Sequence, residues 1–499
     1  MVPYKQGIPR DQLYLIKTCI DDIISNSNPV RVIDAYVEKL ELLELGFTIP
    51  ELRTGTPPYR PQLLLKIYIY GYLEKLRSSR KLEKGCNRNQ EMIWLTEGLA
   101  PDFKTIADFR KDNREGIKNI FKEFLYLCHT LGLLSLEKIA IDGSKLRAQN
   151  SIKNIYKRNE MDKIQERIKN KIDEYLAILD AQDKKEQDDL KLREKGVEEI
   201  VNKLKKLKKY HNKVEEIKNI FKKDKELETY FATDNTSRFQ SDNGKVKAGY
   251  NVQVAGDDKN KLLIVNDVTN QSNDYKQMTP MVGQVKDLKE ELGIKTKTDA
   301  IMDCGYFNEK EVIKNNQDET IDIIVPDKKE SSKIKNSNKK QDKVPAEGFE
   351  IDNFTYNEDK DVYTCPEGQQ LHRTHNNPGT EKSGRKVFEF QCYNCENCKS
   401  LGMCTKNKKG RSIKVSVNKE YMDSFKKEMK TDENKKLIQK RKEIIEHPFG
   451  TIKRNWGYTY FMQRGIKKVK AEFSFICFIY NFKRVLNIIS VKKLIEVLS

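Results

Sequence analysis

Two short apolar runs, each closing on an acid and a glycine, limit the folds open to this chain more than any other feature. One reads Ile139-Ala140-Ile141-Asp142-Gly143-Ser144 and the other Ala300-Ile301-Met302-Asp303-Cys304-Gly305-Tyr306, with the two aspartates 161 positions apart. Short apolar runs bounded by turn residues are the mark of buried strands, and the glycines predict that each strand delivers its acid to a sheet edge and then turns. A third acid, Glu446, lies in Lys442-Glu443-Ile444-Ile445-Glu446-His447-Pro448-Phe449-Gly450-Thr451-Ile452-Lys453, where the spacing predicts a helix. Three acids on two strand ends and one helix can hold a pair of divalent cations, and paired cations suit the breaking and joining of phosphodiesters.

At 499 residues the chain is expected to divide into two or three domains. Lysine and arginine number 94 against 75 acids, a formal charge of +19, which favours a polyanionic partner such as nucleic acid. Glutamates near many of the lysines point to a lysine-rich composition as part of that excess. Met1 to Arg10 has no apolar segment, and no apolar run is long enough to span a bilayer, so a cytosolic protein with no membrane partner is expected. Cys19, Cys86, Cys128, Cys304 and Cys477 are scattered and read as free thiols, whereas the other five of the ten cysteines cluster between Cys365 and Cys404.

Residues 1–135 have helical periodicity, as in the run from Gln62 to Leu73, with Pro57, Pro58 and Pro61 just ahead of or at its start. Arg80, Arg88 and Arg110 make this segment either a module that positions phosphates on DNA or a helical dimerisation or packing domain. Residues 155–228 carry isolated apolar residues among charges, the pattern of exposed helices: either a solvated spacer or an antiparallel coiled coil touching DNA or a second subunit. Ala248 to Asp257 and Lys261 to Val268 predict an antiparallel hairpin across Gly256-Asp257-Asp258-Lys259-Asn260. Met281 to Leu292 predicts a helix, and Ile321 to Pro326 a further strand. The resulting order, β-β-β-α-β-α-β, is that of an α/β fold with a ribonuclease H-like mixed sheet, formed by residues 136–326 and 431–490 with the charged insertion after its first strand.

Residues 327–430 interrupt this core with a polar linker and a Cys-rich stretch. Cys392, Cys395 and Cys398 stand at two-residue spacings that let neighbouring thiolates converge on one ion, while Cys365 needs Cys404, His372 or His375 to make up four ligands. The favoured set is Cys365, Cys395, Cys398 and Cys404 around a structural Zn2+, against reduced cysteines that merely pack. In the last segment, Lys442, Glu446, Gly450 and Lys453 fall on one helical face, although Pro448 predicts a kink or break there. Arg464-Gly465 predicts a loop touching DNA, and the run from Phe473 to Phe482 a core helix.

Taken in order, Ser79-Arg80-Lys81-Leu82-Glu83 with Phe109-Arg110, Asp142-Gly143-Ser144, Gly249-Tyr250-Asn251-Val252-Gln253, Asp303-Cys304-Gly305-Tyr306 and Glu446 to Lys453 make the chain resemble the DDE transposases of bacterial insertion sequences. The resemblance implies that Asp142, Asp303 and Glu446 are the catalytic, metal-binding trio and that Lys453 lies near transposon-end DNA. Lys442 stands where the wider group often has arginine, and Gln439 where it often has tyrosine. The partners implied are double-stranded DNA, as terminal inverted repeats and as target, and a second copy of the chain, in a bacterial cytoplasm at the nucleoid. An all-oxygen site of this kind suits Mg2+, with Mn2+ a substitute. Two rival readings stay open: an end-binding repressor or inactive copy, and a nuclease of the same fold that never joins strands.

Overall fold

The computed structural model of the chain describes residues 19–49, 57–183, 190–242, 244–327, 348–381 and 384–498. The linker expected at Lys328 to Lys343 lies outside them. Six helices come first: α1 (Val30–Lys39), α2 (Pro61–Leu73), α3 (Ser79–Cys86), α4 (Gln90–Leu95), α5 (Phe103–Asp112) and α6 (Arg114–Thr130). Pro61 starts α2, where its missing N–H has no intrahelical partner to lose. Ser78, Asn89 and Asp102 cap α3, α4 and α5 by accepting backbone N–H groups of the first turn. Unlike its amphipathic neighbours, α2 is apolar nearly all round and is buried nearly all round.

A mixed sheet follows. Its strands are β1 (Lys138–Arg147), then, beyond an insertion with the short strands β2 (Ile155–Lys157) and β3 (Thr229–Phe231), β4 (Arg238–Asp242), β5 (Lys245–Asp257), β6 (Leu263–Thr269), β7 (Thr298–Ile301) and β8 (Ile321–Ile324). β1 is central, antiparallel to β5 on one side and parallel to β7 on the other; β8 extends the parallel part beyond β7. β5 is long enough to pair with β4 along its first half and with β6 along its second. The runs around residues 248–257 and 263–268 therefore pair antiparallel, as the sequence predicts. Two helices, α9 (Met278–Glu291) and α10 (Glu309–Asn315), make the crossovers that parallel strands require.

The insertion after β1 contains α7 (Met161–Asp183) and α8 (Leu190–Lys223). Their antiparallel arrangement is fixed by the ion pair of Asp162 with Lys218 at 2.7 Å, joining the start of one helix to the end of the other. Tyr156, Met161, Ile168, Val214, Ile217 and Phe221 form a small core of the hairpin's own. A second insertion folds as a separate small sheet of β9 (Thr355–Asn357), β10 (Val362–Thr364), β11 (Gln370–Arg373), β12 (Gly379–Thr380), β13 (Lys386–Gln391) and β14 (Ser412–Ser416), closed over Phe354, Tyr363, Leu371, Phe390, Ile413 and Val415.

The chain then returns to the main body through α11 (Lys419–Glu428), α12 (Asp432–Phe449), a π-helical turn at Gly450–Asn455, α13 (Ile466–Ile488) and α14 (Val491–Leu498). α12 lies across β1, β5, β7 and β8, and its Ile444 and Ile445 pack on Gly256 of β5. Helical structure runs on through Pro448 instead of breaking; the wider π turn just beyond it takes up the disturbance that a missing N–H causes. α13 packs on β6, α6 and α2 together. Tyr36, Phe124, Phe478 and Phe482 stack with ring centroids 5.3–5.9 Å apart, so the N-terminal helices and the sheet share one continuous core. Among the described residues no single helix is long and apolar enough to cross a membrane.

Candidate metal and nucleic-acid site

β1 does not end at its acid. It continues five residues past Asp142 as the middle strand of the sheet, so the expectation of a turn at Gly143 and of delivery to a sheet edge is corrected. Gly143 is needed for packing: a Cβ there would stand 2.4 Å from the Gln253 amide nitrogen and 2.6 Å from Asp274 Oδ1. Asp303 does lie just beyond its strand, β7, and the loop curls so that the Gly305 N–H donates to Asp303 Oδ1 at 2.8 Å. Since β7 runs parallel to β1, both acids come to the same end of the sheet.

The two carboxylates feel each other. Burial pushes the Asp142 carboxyl up to about 6, and the Asp303 charge pushes in the same direction, while the guanidinium of Arg441 opposes both. Arg441, on α12, donates to Asp142 Oδ2 at 2.7 Å. Its neighbour Lys442, singled out from sequence, is exposed on the far side of the helix. Glu446 is exposed on the same helix, and its carboxylate makes no hydrogen bond or ion pair among the described residues. As placed, no three His, Cys, Asp or Glu side chains among the described residues stand close enough together to hold a metal ion. The structure thus brings together Asp142 and Asp303 with Arg441, and leaves Glu446 outside that group. Two half-buried carboxylates, one of them with its pKa raised chiefly by burial and further by its neighbour, are nonetheless a donor set that a small hard cation fits, because such an ion offsets the same charge that Arg441 offsets here.

Beneath the acids lies a polar network centred on Asp274. Asp274 Oδ1 accepts from the side-chain amides of Asn251 at 2.7 Å and Gln253 at 2.6 Å, and Gln253 Oε1 accepts from the fully buried Tyr306 hydroxyl. Tyr306 closes the loop that carries Asp303, so this network fixes the loop from below. Two amides two residues apart in an otherwise apolar strand were the available signal, since such side chains share a face and demand partners when buried. Lys145 joins from β1: its ammonium is 3.7 Å from Asp274 without a hydrogen bond, and burial lowers its pKa against the pull of Asp274, Asp142 and Asp303.

Lys453, on the π turn, donates to Ser144 Oγ at 2.9 Å and approaches Asp242 at 3.5 Å, placing a cation beside the strand two residues past Asp142. Arg464 is exposed in the loop before α13. Arg80 is exposed with its guanidinium over the Phe103 ring. Arg110 is corrected as a phosphate contact, because it turns inward: its guanidinium lies over Tyr68 and next to Glu472, a carboxylate with no exposed side chain that also has Arg77 at 3.7 Å. A buried carboxylate needs such counter-charge, and Glu472 uses its remaining lone pairs to accept the N–H groups of Met462 and Gln463 at 2.9–3.0 Å.

The Cys-rich sheet gathers thiols round one cavity, although as placed no three of them stand close enough together to hold an ion. Cys365, Cys392, Cys395, Cys398 and Cys404 all line one small cavity, so Cys392 joins the four thiols singled out from sequence. The Gln369 N–H points at Cys365 Sγ at 3.3 Å, and Gly410, with φ at +95°, has no room for a Cβ, which would stand 2.4 Å from the Cys392 carbonyl oxygen and 3.4 Å from Cys395 Sγ. His372 pairs in β11 and His375 follows it; neither borders the cavity.

Comparison with known families places two matches on this chain. The family described as Transposase DDE domain matches residues 364–486, which include the Cys-rich sheet from the end of β10 onward, α12 with Glu446, Lys453 and most of α13. The family described as Transposase domain (DUF772) matches residues 18–112, the first five helices with Arg80 and Arg110. No curated protein and no solved structure matches the chain.

Proposed function

We propose that this chain, which matches two transposase families, is an insertion-sequence DDE transposase in which Asp142, Asp303 and Glu446 bind the divalent ions with which it cuts an element's ends and joins them to target DNA. The transposition function follows from the two matches; the chemistry is our reading. The observation that carries it is the meeting of Asp142 and Asp303 at one end of two adjacent parallel strands, under α12, a helix inside the stretch that the DDE match covers. The strand order, with β1 central, antiparallel to β5 and parallel to β7, supports a ribonuclease H-like core.

A pair of bound Mg2+ ions, or Mn2+ in their place, would lower the pKa of the attacking water or 3′-hydroxyl and stabilise charge on the leaving oxygen. The chain's own groups do the rest. The two aspartates supply hard oxygen donors, and Glu446 supplies a third from α12. Arg441, which neutralises Asp142 when alone with it, has a long enough side chain to turn to a DNA phosphate instead. Lys453 and Arg464 hold the backbone of the end DNA, and exposed Lys442 and Arg80 add contacts further out. Bringing two ends together calls for at least two copies of the chain on DNA.

In the small sheet we assign Cys365, Cys395, Cys398 and Cys404 to a structural Zn2+. The sharing of one cavity by these thiols and the N–H aimed at Cys365 Sγ support the assignment.

Labelled end DNA incubated with Mg2+ and wild-type protein should be nicked at the element boundary, and the Asp303→Asn protein should leave it intact. Cutting by neither would favour an end-binding repressor. Cutting without any joined product from pre-nicked ends would favour a nuclease.

A further inference from the structure

Beyond the acids, β1 runs on through Lys145, Leu146 and Arg147, and along this stretch two cavities adjoin. The nearer, of about 510 Å³, is walled by Lys145, Arg147, Lys245, Lys247 and Lys453. The farther, of about 1030 Å³, shares Arg147 and Lys247 with it and adds Lys157 and Arg464. The acids on these walls are few and engaged: Asp242 faces Lys453, and Glu160 pairs with Lys157 at 3.1 Å. A continuous basic track therefore leads away from Asp142, reaching Arg147 after five residues or about 16 Å of extended strand.

The farther cavity differs from the nearer in carrying exposed rings. Phe239 is 36% and Tyr460 39% exposed, and Val246, near the start of β5, is more so. Tyr460 is held on both sides: the Arg147 N–H donates to the Thr459 carbonyl and the Phe461 N–H to the Arg147 carbonyl, each at 3.0 Å, and Arg77 donates to the Tyr460 carbonyl at 3.0 Å. Phe239 leans edge-on against Phe231 of β3 at 5.0 Å. Preset aromatic faces in a cationic cavity suit nucleobases, but bases in a duplex hide their faces in the stack. The volume agrees, because it matches a pocket for a small ligand and not the breadth of a double helix.

We infer that this cavity takes unpaired nucleotides of the DNA strand leading to the acids, with bases against Tyr460 and Phe239 and phosphates on Arg147, Lys247 and Arg464. The inference rests on the DNA-cutting reading above. It also gives the charged insertion a part in binding, since Ile155 and Lys157 at its foot form one wall.

The test is fluorescence anisotropy of the full chain, in Ca2+ to prevent cutting, with a blunt duplex and with the same duplex bearing a short single-stranded extension. The extended DNA should bind about tenfold more tightly, the order of gain from stacking a base on an aromatic ring. Tyr460→Ala and Phe239→Ala, each checked for an unchanged melting curve, should each remove most of that preference and weaken blunt-duplex binding far less. Equal affinity of the wild type for both DNAs would overturn the inference and leave the transposase reading standing, as would a preference surviving in both variants. Failure to bind either DNA would overturn both.

Discussion

The acid cluster draws its side chains from regular elements: Asp142 from the middle of a central strand, Asp303 from the turn after the neighbouring strand, Arg441 from the helix above. The thiol cluster draws its side chains from turns and strand ends in a sheet whose core is a handful of residues. The first region keeps its shape through the packing of the whole body and strains only electrostatically, by crowding like charges. The second has little packing to hold its loops, so an ion bridging the thiols, as proposed, would do structural work there. Hard oxygen donors on a rigid frame suit an exchangeable ion such as Mg2+, and soft sulfur donors on pliant loops suit a resident Zn2+.

The sharpest break with this comparison would come at the acids. Asp303→Asn should lower the rate of end cutting by more than about a hundredfold while the melting temperature holds or rises, because one of two repelling charges is gone; a fall in stability as large as the fall in rate would mean the aspartate is structural. At the thiols the pattern should reverse. Cys398→Ser should lose the bound zinc, read by elemental analysis of the purified protein, and expose the small sheet to limited proteolysis while α7 and α8 stay protected by their own core; full metal content in the variant would break the assignment.

A smaller effect is expected under the acids. Gln253→Ala frees Tyr306 and should weaken the response of cutting to Mg2+ by about ten- to a hundredfold, recoverable in part by raising the ion concentration. The smallest effect separates two lysines on one helical segment. Lys453→Met should weaken end-DNA binding and flatten its salt dependence by about one charge, whereas Lys442→Met should change either by little. Equal losses would show that both touch DNA alike.

The sheet was legible because buried strands need apolar runs, and those runs are short and well separated. What misled was Gly143-Ser144-Lys145, which reads as a turn. These residues continue β1 because β5 offers them polar partners, with Gly143 opposite Gln253 and Lys145 opposite Asn251. Such pairing exists only once strands distant in sequence have met. Arg110 misled for a similar reason: nothing near it in sequence announces Glu472, whose burial makes the arginine an internal counter-charge. The spacing of Lys442 and Glu446 was legible, but which neighbour reaches Asp142 depended on how α12 lies on the sheet, and there Arg441 makes the contact.

The placement of α13 also bears on how the polypeptide is made. It supplies Phe478 and Phe482 to the aromatic stack with Tyr36 and Phe124, yet it leaves the ribosome long after α1 and α6 have emerged. The first helices must therefore wait with an apolar flank uncovered while the sheet and both insertions are translated, and they gain their missing wall only near the end of synthesis.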